Sequence, residues 1–196
     1  MTKFLLTILS FVFLSHLYSC SPAGVLASGG ATTMVVAEGD RSLGTVVDDA
    51  TIKINLAAKF LQADNEFFIN INSNVLEGRV LLTGIVEDQE IRIEAVRTAW
   101  EVDGVKEVIN EIQVGNKSNL KEYANDLWIN TQAKSLAAKA IGLRSFSYNF
   151  ETIRGRVYIA GITRKPEQLN AIIESTKTIK GVKEIVNYVV VKEPKE

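Results

Sequence analysis

Two stretches of the chain carry the same alternation of apolar and polar positions. From Asp49 to about Ala63, and again from Asp126 to about Ile141, apolar residues recur at helical spacing. In the second stretch Ile129, Ala133, Leu136, Ala137 and Ala140 fall on one face, the predicted core face. Each run opens on an aspartate, a residue suited to the helix N-cap. The period then changes to two. Phe146, Tyr148 and Phe150 alternate along one strand face, Arg154-Gly155 marks a tight turn, and Val157 to Ile162 returns. Glu77-Gly78 makes the same turn before Val80 to Val86, with glycine where a two-residue hairpin needs positive φ. A second helix is predicted from near Asp88 and from Pro166, where proline suits the first turn. Its apolar face is Ala95, Val96 and Ala99, matched by Ile172, Ile173 and Thr176. Gly104 and Gly181 are expected to end these helices as C′ residues, before last strands at Val105–Val114 and Val182–Val191.

The two stretches superimpose at an offset of 77 residues without a gap. That offset pairs Gly78 with Gly155, Gly84 with Gly161, and Gly104-Val105-Lys106-Glu107 with an identical Gly181-Val182-Lys183-Glu184. The expected fold class is therefore α+β, with modules at 48–115 and 125–192. Each is an α-β-β-α-β two-layer sandwich, two helices on a three-stranded mixed sheet. Such short modules are near the lower limit for folding alone, which predicts that the pair lean on each other across Gly115–Ala124. Gly84 and Gly161 interrupt strands and are read as structural, each marking a bulge or a close backbone approach.

The N-terminal region breaks from this pattern. Lys3 precedes an apolar run from Phe4 to Leu17, shorter than the ~18 residues a spanning helix needs, so residues 1–19 read as a cleaved signal peptide. Cys20, the only cysteine, ends the run in Leu17-Tyr18-Ser19-Cys20. That sequence resembles a bacterial lipobox, which implies Cys20 as a lipid anchor carrying palmitate-type acyl chains. Ser21 follows, so the outer membrane is the expected location, with the body facing the periplasm. Residues 20–47, rich in Ala, Gly, Ser and Thr, read as a tether reaching roughly 25–30 Å; a strand at Thr33–Ala37 is the alternative. Cleavage also removes His16, the only histidine. The mature chain then has no imidazole and no free thiol, which excludes Ser-His and Cys-His chemistry and leaves zinc without its usual ligands. Glu77, Glu87 and Asp88 sit at turns, but Arg154, Arg164 and Lys165 replace them in the second module. A non-enzymatic protein without cofactor or metal is expected.

The elements Gly-Arg-Val-x-Leu/Ile-x-Gly (78–84, 155–161) and Gly-Val-Lys-Glu-Val/Ile (104–108, 181–185) resemble the BON domain, named for bacterial osmotic-shock-induced and nodulation proteins. With the lipobox, the tandem resembles dual-BON outer-membrane lipoproteins associated with division and outer-membrane stress. The resemblance implies a periplasm-facing protein that binds phospholipid and supports envelope integrity.

Charge separates the modules. Six basic and twelve acidic residues lie between 49 and 114, a net of −6; ten basic and five acidic lie between 126 and 191, a net of +5. The overall −1 suggests no nucleic-acid partner. The second module suits anionic head groups such as phosphatidylglycerol, unless the two halves simply attract each other. Trp128 falls off the predicted core face, beside Thr131, Gln132, Ser135 and Lys139, and its counterpart in the first module is only Thr51. An aromatic beside a lysine on a polar helix face has the composition of a membrane-interfacial contact, and the resemblance assigns lipid contact to the same residue. The expected lipid-binding set is Trp128, Thr131, Gln132, Ser135 and Lys139. Two alternatives stay open: Trp128 fills the seam between modules, or the acidic first module recruits a protein partner. Trp100, opposite Lys177 in the repeat, marks either packing or a second contact surface.

Overall fold

The computed structural model describes residues 42–63 and 69–193. The signal segment, Cys20, the Thr33–Ala37 alternative and most of the tether lie outside the described residues. The element order is α1 (Leu43–Ala63), β1 (Ile71–Leu76), β2 (Arg79–Val86), α2 (Gln89–Trp100) and β3 (Glu107–Val114). It then repeats as α3 (Leu120–Ile141), a 3-10 turn (Gly142–Ser147), β4 (Tyr148–Ile153), β5 (Arg156–Thr163), α4 (Pro166–Lys177) and β6 (Glu184–Val191). In each module the middle strand pairs antiparallel with the first and parallel with the last, giving sheets β1-β2-β3 and β4-β5-β6. Among the described residues no helix is long and apolar enough to cross a membrane.

Several boundaries differ from the sequence reading. Both first helices begin six residues before their aspartates, so residues 43–47, read as tether, and 120–124, read as joining segment, are helical. The caps are Ser42, whose Oγ accepts from the Thr45 N–H at 3.2 Å, and Asn119, whose side chain accepts from the Glu122 N–H at 3.0 Å. Asp49 and Asp126 are not caps. They sit a turn and a half into their helices, almost fully buried, and clamp the hairpin turns. Asp49 accepts from the N–H groups of Glu77 and Gly78 at 2.8 and 2.9 Å; Asp126 accepts from Arg154 and Gly155 at 2.7 and 2.8 Å. The turn residues have φ of 54° and 80° in one module and 53° and 80° in the other, so no sheet ladder can take these N–H groups.

Two further expectations are corrected. Phe146 is not on the strand face; it lies in the 3-10 turn and is exposed. Tyr148, Phe150 and Thr152 make the core face of β4 instead. Gly104 and Gly181 do not end the second helices, which stop at Trp100 and Lys177 with Glu101 and Thr178 as C-caps. These glycines, at φ of 90° and 98°, turn the chain into the last strand. Of the two alternatives for the strand glycines, close backbone approach is the one present. A Cβ on Gly84 would lie 2.1 Å from the Asn70 carbonyl oxygen, and one on Gly161 would lie 2.7 Å from that of Ser147.

Each sheet buries one face under its helices. Ile52, Leu56 and Phe60 of α1 meet Val80, Leu82 and Val86 of β2; Ile129, Ala133 and Ala137 of α3 meet Val157 and Ile159 of β5. The opposite sheet faces each carry an apolar patch among polar residues, and these patches pack on each other. Leu76 and Leu81 of the first module join Tyr158 and Ala160 of the second, with Ile109, Ile153, Val186 and Tyr188 around them. The body is thus four layers, helices–sheet–sheet–helices. The modules meet chiefly through strand side chains, and the expected joining segment adds to this, the Asn116 carbonyl accepting from the Arg154 guanidinium. Contrary charges flank this seam. Glu111 accepts from the Tyr188 hydroxyl and faces Arg156 at 3.9 Å, and Glu77 pairs with Lys192. Burial, reinforced by the Glu111 carboxylate, pushes the Tyr188 phenol well up, so it stays a donor. Part of the opposition in charge between the halves is therefore spent on holding them together.

Candidate lipid-contact face and inter-module cleft

α3 is held at its start by the Asn119 cap and at its end by Gly142, whose φ of 64° stops the helix while its N–H bonds Ala138. Between them Asp126, Ile129, Ala133 and Ala137 are buried. Ala140, expected on the core face, is exposed, and Leu136 is only half-buried, because the buried stripe follows i, i+3, i+7, i+11 from Asp126 and leaves that edge. Trp128 is 47% exposed on the outer layer. It does not fill the seam, which strand residues build. Thr131, Ser135 and Lys139 are exposed and Gln132 is half-buried, so the sequence-derived set does gather on one outward face. The Thr131 hydroxyl, however, donates to the Leu127 carbonyl at 2.8 Å and is occupied with its own helix.

The earlier helix start adds residues that the sequence reading missed. Lys121 stands two turns before Trp128 on the same face, as Lys139 stands three turns after it. The indole is flanked by cations at roughly 10 and 16 Å along the axis, at 1.5 Å per residue. The strip Lys121, Trp128, Gln132, Ser135, Lys139 contains no acidic residue. Leu120, Tyr123 and Leu127 are 82%, 61% and 55% exposed, so the first two turns of α3 carry an apolar tip beside the indole. Asn119 followed three residues later by Glu122 was the available signal for this earlier start.

Tyr123 and Leu127 also form one wall of an open cleft of about 630 Å³ between the modules. Ile69, Asn72 and Ile85 come from the first module, Asn130 and Glu151 from the second. Asn72 donates to Glu151 at 3.2 Å. Burial pushes the Glu151 carboxyl up, Lys134 opposes this, and Asp126 adds to it. The folded chain therefore holds this proton more tightly than the unfolded chain does. Stability should fall as pH rises from the ordinary glutamate range through the raised value. Glu151→Gln, which keeps the acceptor for Asn72, is expected to flatten that slope and to make the chain more stable at neutral pH. Urea unfolding across about pH 4 to 7.5 checks it, and an unchanged slope would contradict it. Among the described residues no group of three His, Cys, Asp or Glu side chains could hold a metal ion.

This arrangement of twin modules matches known proteins. The model of the BON domain matches residues 48–116 and 125–193. The chain belongs to the BON domain family. It is 40% identical over 150 residues, 76% of this chain and 98% of the relative, to the "uncharacterized protein in gshII 5′region" of Anaplasma centrale. It is 33% identical over 166 residues, 81% of this chain and 82% of the relative, to the outer membrane lipoprotein DolP of Haemophilus influenzae. It is 30% identical over 155 residues, 76% of this chain and 78% of the relative, to the 21 kDa hemolysin of Actinobacillus pleuropneumoniae. A tandem BON architecture built on an α+β fold is thus shared with relatives that include an outer-membrane lipoprotein.

Proposed function

We propose that this chain is a non-enzymatic envelope lipoprotein, anchored in the outer membrane through Cys20, that docks on anionic phospholipid with the outward face of α3. The observation that carries the reading is the half-exposed indole of Trp128 between Lys121 and Lys139 on a face free of acid. The repeat supplies an internal control: at the matching position α1 has Thr51, so the scaffold itself requires no large ring there. An indole at the acyl boundary with ammonium groups at the phosphates is the arrangement favoured at a bilayer surface. Each lysine near an anionic surface contributes about 1 kcal/mol. The kinship with an outer membrane lipoprotein agrees with this location.

Co-sedimentation with vesicles tests the proposal. The chain should bind phosphatidylglycerol-containing vesicles more tightly than phosphatidylcholine vesicles, and rising salt should erase most of the difference. Equal binding to both vesicle types would remove the electrostatic half of the reading.

A further inference from the structure

The outer face of the first module's helix layer is not what a solvated surface requires. On α1 the residues Val47, Ile54 and Leu61 are 49%, 64% and 53% exposed, directly opposite the Ile52, Leu56 and Phe60 that face the sheet. They recur every seven residues, a spacing that draws one stripe along a helix. Exposed Ala50 and Ala58 fill the positions between. On α2, Ile93 and Trp100 are 57% and 52% exposed and also seven apart. An ion pair between Lys59 and Glu101 at 3.1 Å ties the two helices at the end where Leu61 and Trp100 lie. In the second module the residues matching the five large side chains are Ala124, Thr131, Ala138, Asn170 and Lys177. The repeat scaffold therefore does not ask for this apolar surface.

The order of the α1 stripe identifies its occupant. Read outward from Ile54, alanine stands four residues away on both sides and a branched aliphatic seven away on both sides. Such a palindrome is self-complementary under a two-fold axis through Ile54. In an antiparallel pair of α1 helices, Val47 of one copy meets Leu61 of the other, Ala50 meets Ala58, and Ile54 meets itself. Every position of the stripe then lies against an apolar side chain of the other copy, and one patch serves both copies, as a two-fold interface requires. Electrostatics raise no barrier, although the module is acidic. α1 carries Asp48, Asp49, Lys53 and Lys59, α2 carries Glu90, Arg92, Glu94 and Arg97, and both balance to zero. The acidic excess lies on loops and strands instead. Because the helix layers are the two outer layers of the body, a chain docked on lipid through Trp128, as proposed above, leaves this face open to a second copy.

We propose that the α1 face of the first module is a homodimer interface, in which two copies pair antiparallel about Ile54. One helix pair with the flanking Ile93 and Trp100 makes a small contact, in the range of weak, reversible association. Chains concentrated on one membrane would favour it.

Cysteine cross-linking in the whole chain, expressed with its N-terminal segment in a bacterial envelope, tests the proposal. Mild oxidation of Ile54→Cys should give a disulfide-linked dimer of the chain severalfold more abundant than Thr131→Cys, the matching position of the second module. Any background from Cys20 is equal in the two. Register is read by mixing: Ala50→Cys co-expressed with Ala58→Cys should give more mixed dimer than either gives alone. No dimer above the Thr131→Cys level, or cross-linking of Ile54→Cys only to a different protein, would overturn the interface. A preference of Ala50→Cys for its own copy would overturn the antiparallel order. All these positions are exposed, so the variants should fold, and each is checked by retaining the parent's thermal unfolding midpoint.

Discussion

Asp126→Ala is expected to lower the stability of the second module by about 3–4 kcal/mol. The carboxylate is almost fully buried and accepts from two turn N–H groups at 2.7 and 2.8 Å. Hydrogen bonds to a charged group contribute roughly 1.5–3 kcal/mol each, and alanine leaves both donors without a partner. Those donors cannot turn elsewhere, because Arg154 and Gly155 are held at positive φ within the hairpin. Asp126→Asn keeps one acceptor and should lose about half as much. Asp49→Ala should act equally on the first module, where the Glu77 and Gly78 N–H groups depend on it. The chain has two tryptophans, one per module, so urea unfolding followed by indole fluorescence in a Trp100→Phe background reports on the second module. A loss under about 1 kcal/mol would mean that the clamp is dispensable.

The second large effect is on lipid. Trp128→Ala should weaken binding to phosphatidylglycerol vesicles by roughly thirtyfold. The exposed half of the indole offers on the order of 100 Å² of mostly apolar surface, worth about 2 kcal/mol when removed from water. Because that contribution is apolar, the fold-loss should persist at high salt. Lys121→Gln combined with Lys139→Gln should lose a similar amount at low salt and almost nothing near 1 M, where screening acts within a few ångströms. The two salt profiles therefore separate the ring from the charges. Stability should hardly change, since all three side chains are exposed or half-exposed on the outer layer. Unchanged vesicle binding in Trp128→Ala would sink the docking face, while the cross-linking outcome at Ile54 would be untouched.

The candidate site was half legible in the sequence. Trp128, Thr131, Gln132, Ser135 and Lys139 do share an outward face, because helical periodicity alone sets their angular positions. Lys121, Leu120 and Tyr123 escape a reading that starts the helix at Asp126, because an aspartate there has the composition of a cap. Aspartate is favoured at caps and also serves as a buried acceptor for turn N–H groups, and composition cannot tell these roles apart. Its partners, Arg154 and Gly155, come 28 and 29 residues later. Phe146 escapes for a related reason: alternation over three residues does not distinguish a strand from the 3-10 turn that feeds it.

The number of modules, their α-β-β-α-β order, the hairpin turns and the face of α3 that carries the indole can all be read from the chain. All of these are set by local periodicity, by the conformational demands of Gly78 and Gly155, and by a 77-residue repeat that needs no gap. How the modules join is visible only in the folded molecule. Leu81, Tyr158 and Tyr188 are apolar on the sheet faces away from the helices, but a strand's pattern says that a face is buried, not what covers it. The packing of sheet on sheet answered that, and it turned both helix layers outward, one presenting an indole between lysines and the other a palindromic apolar stripe.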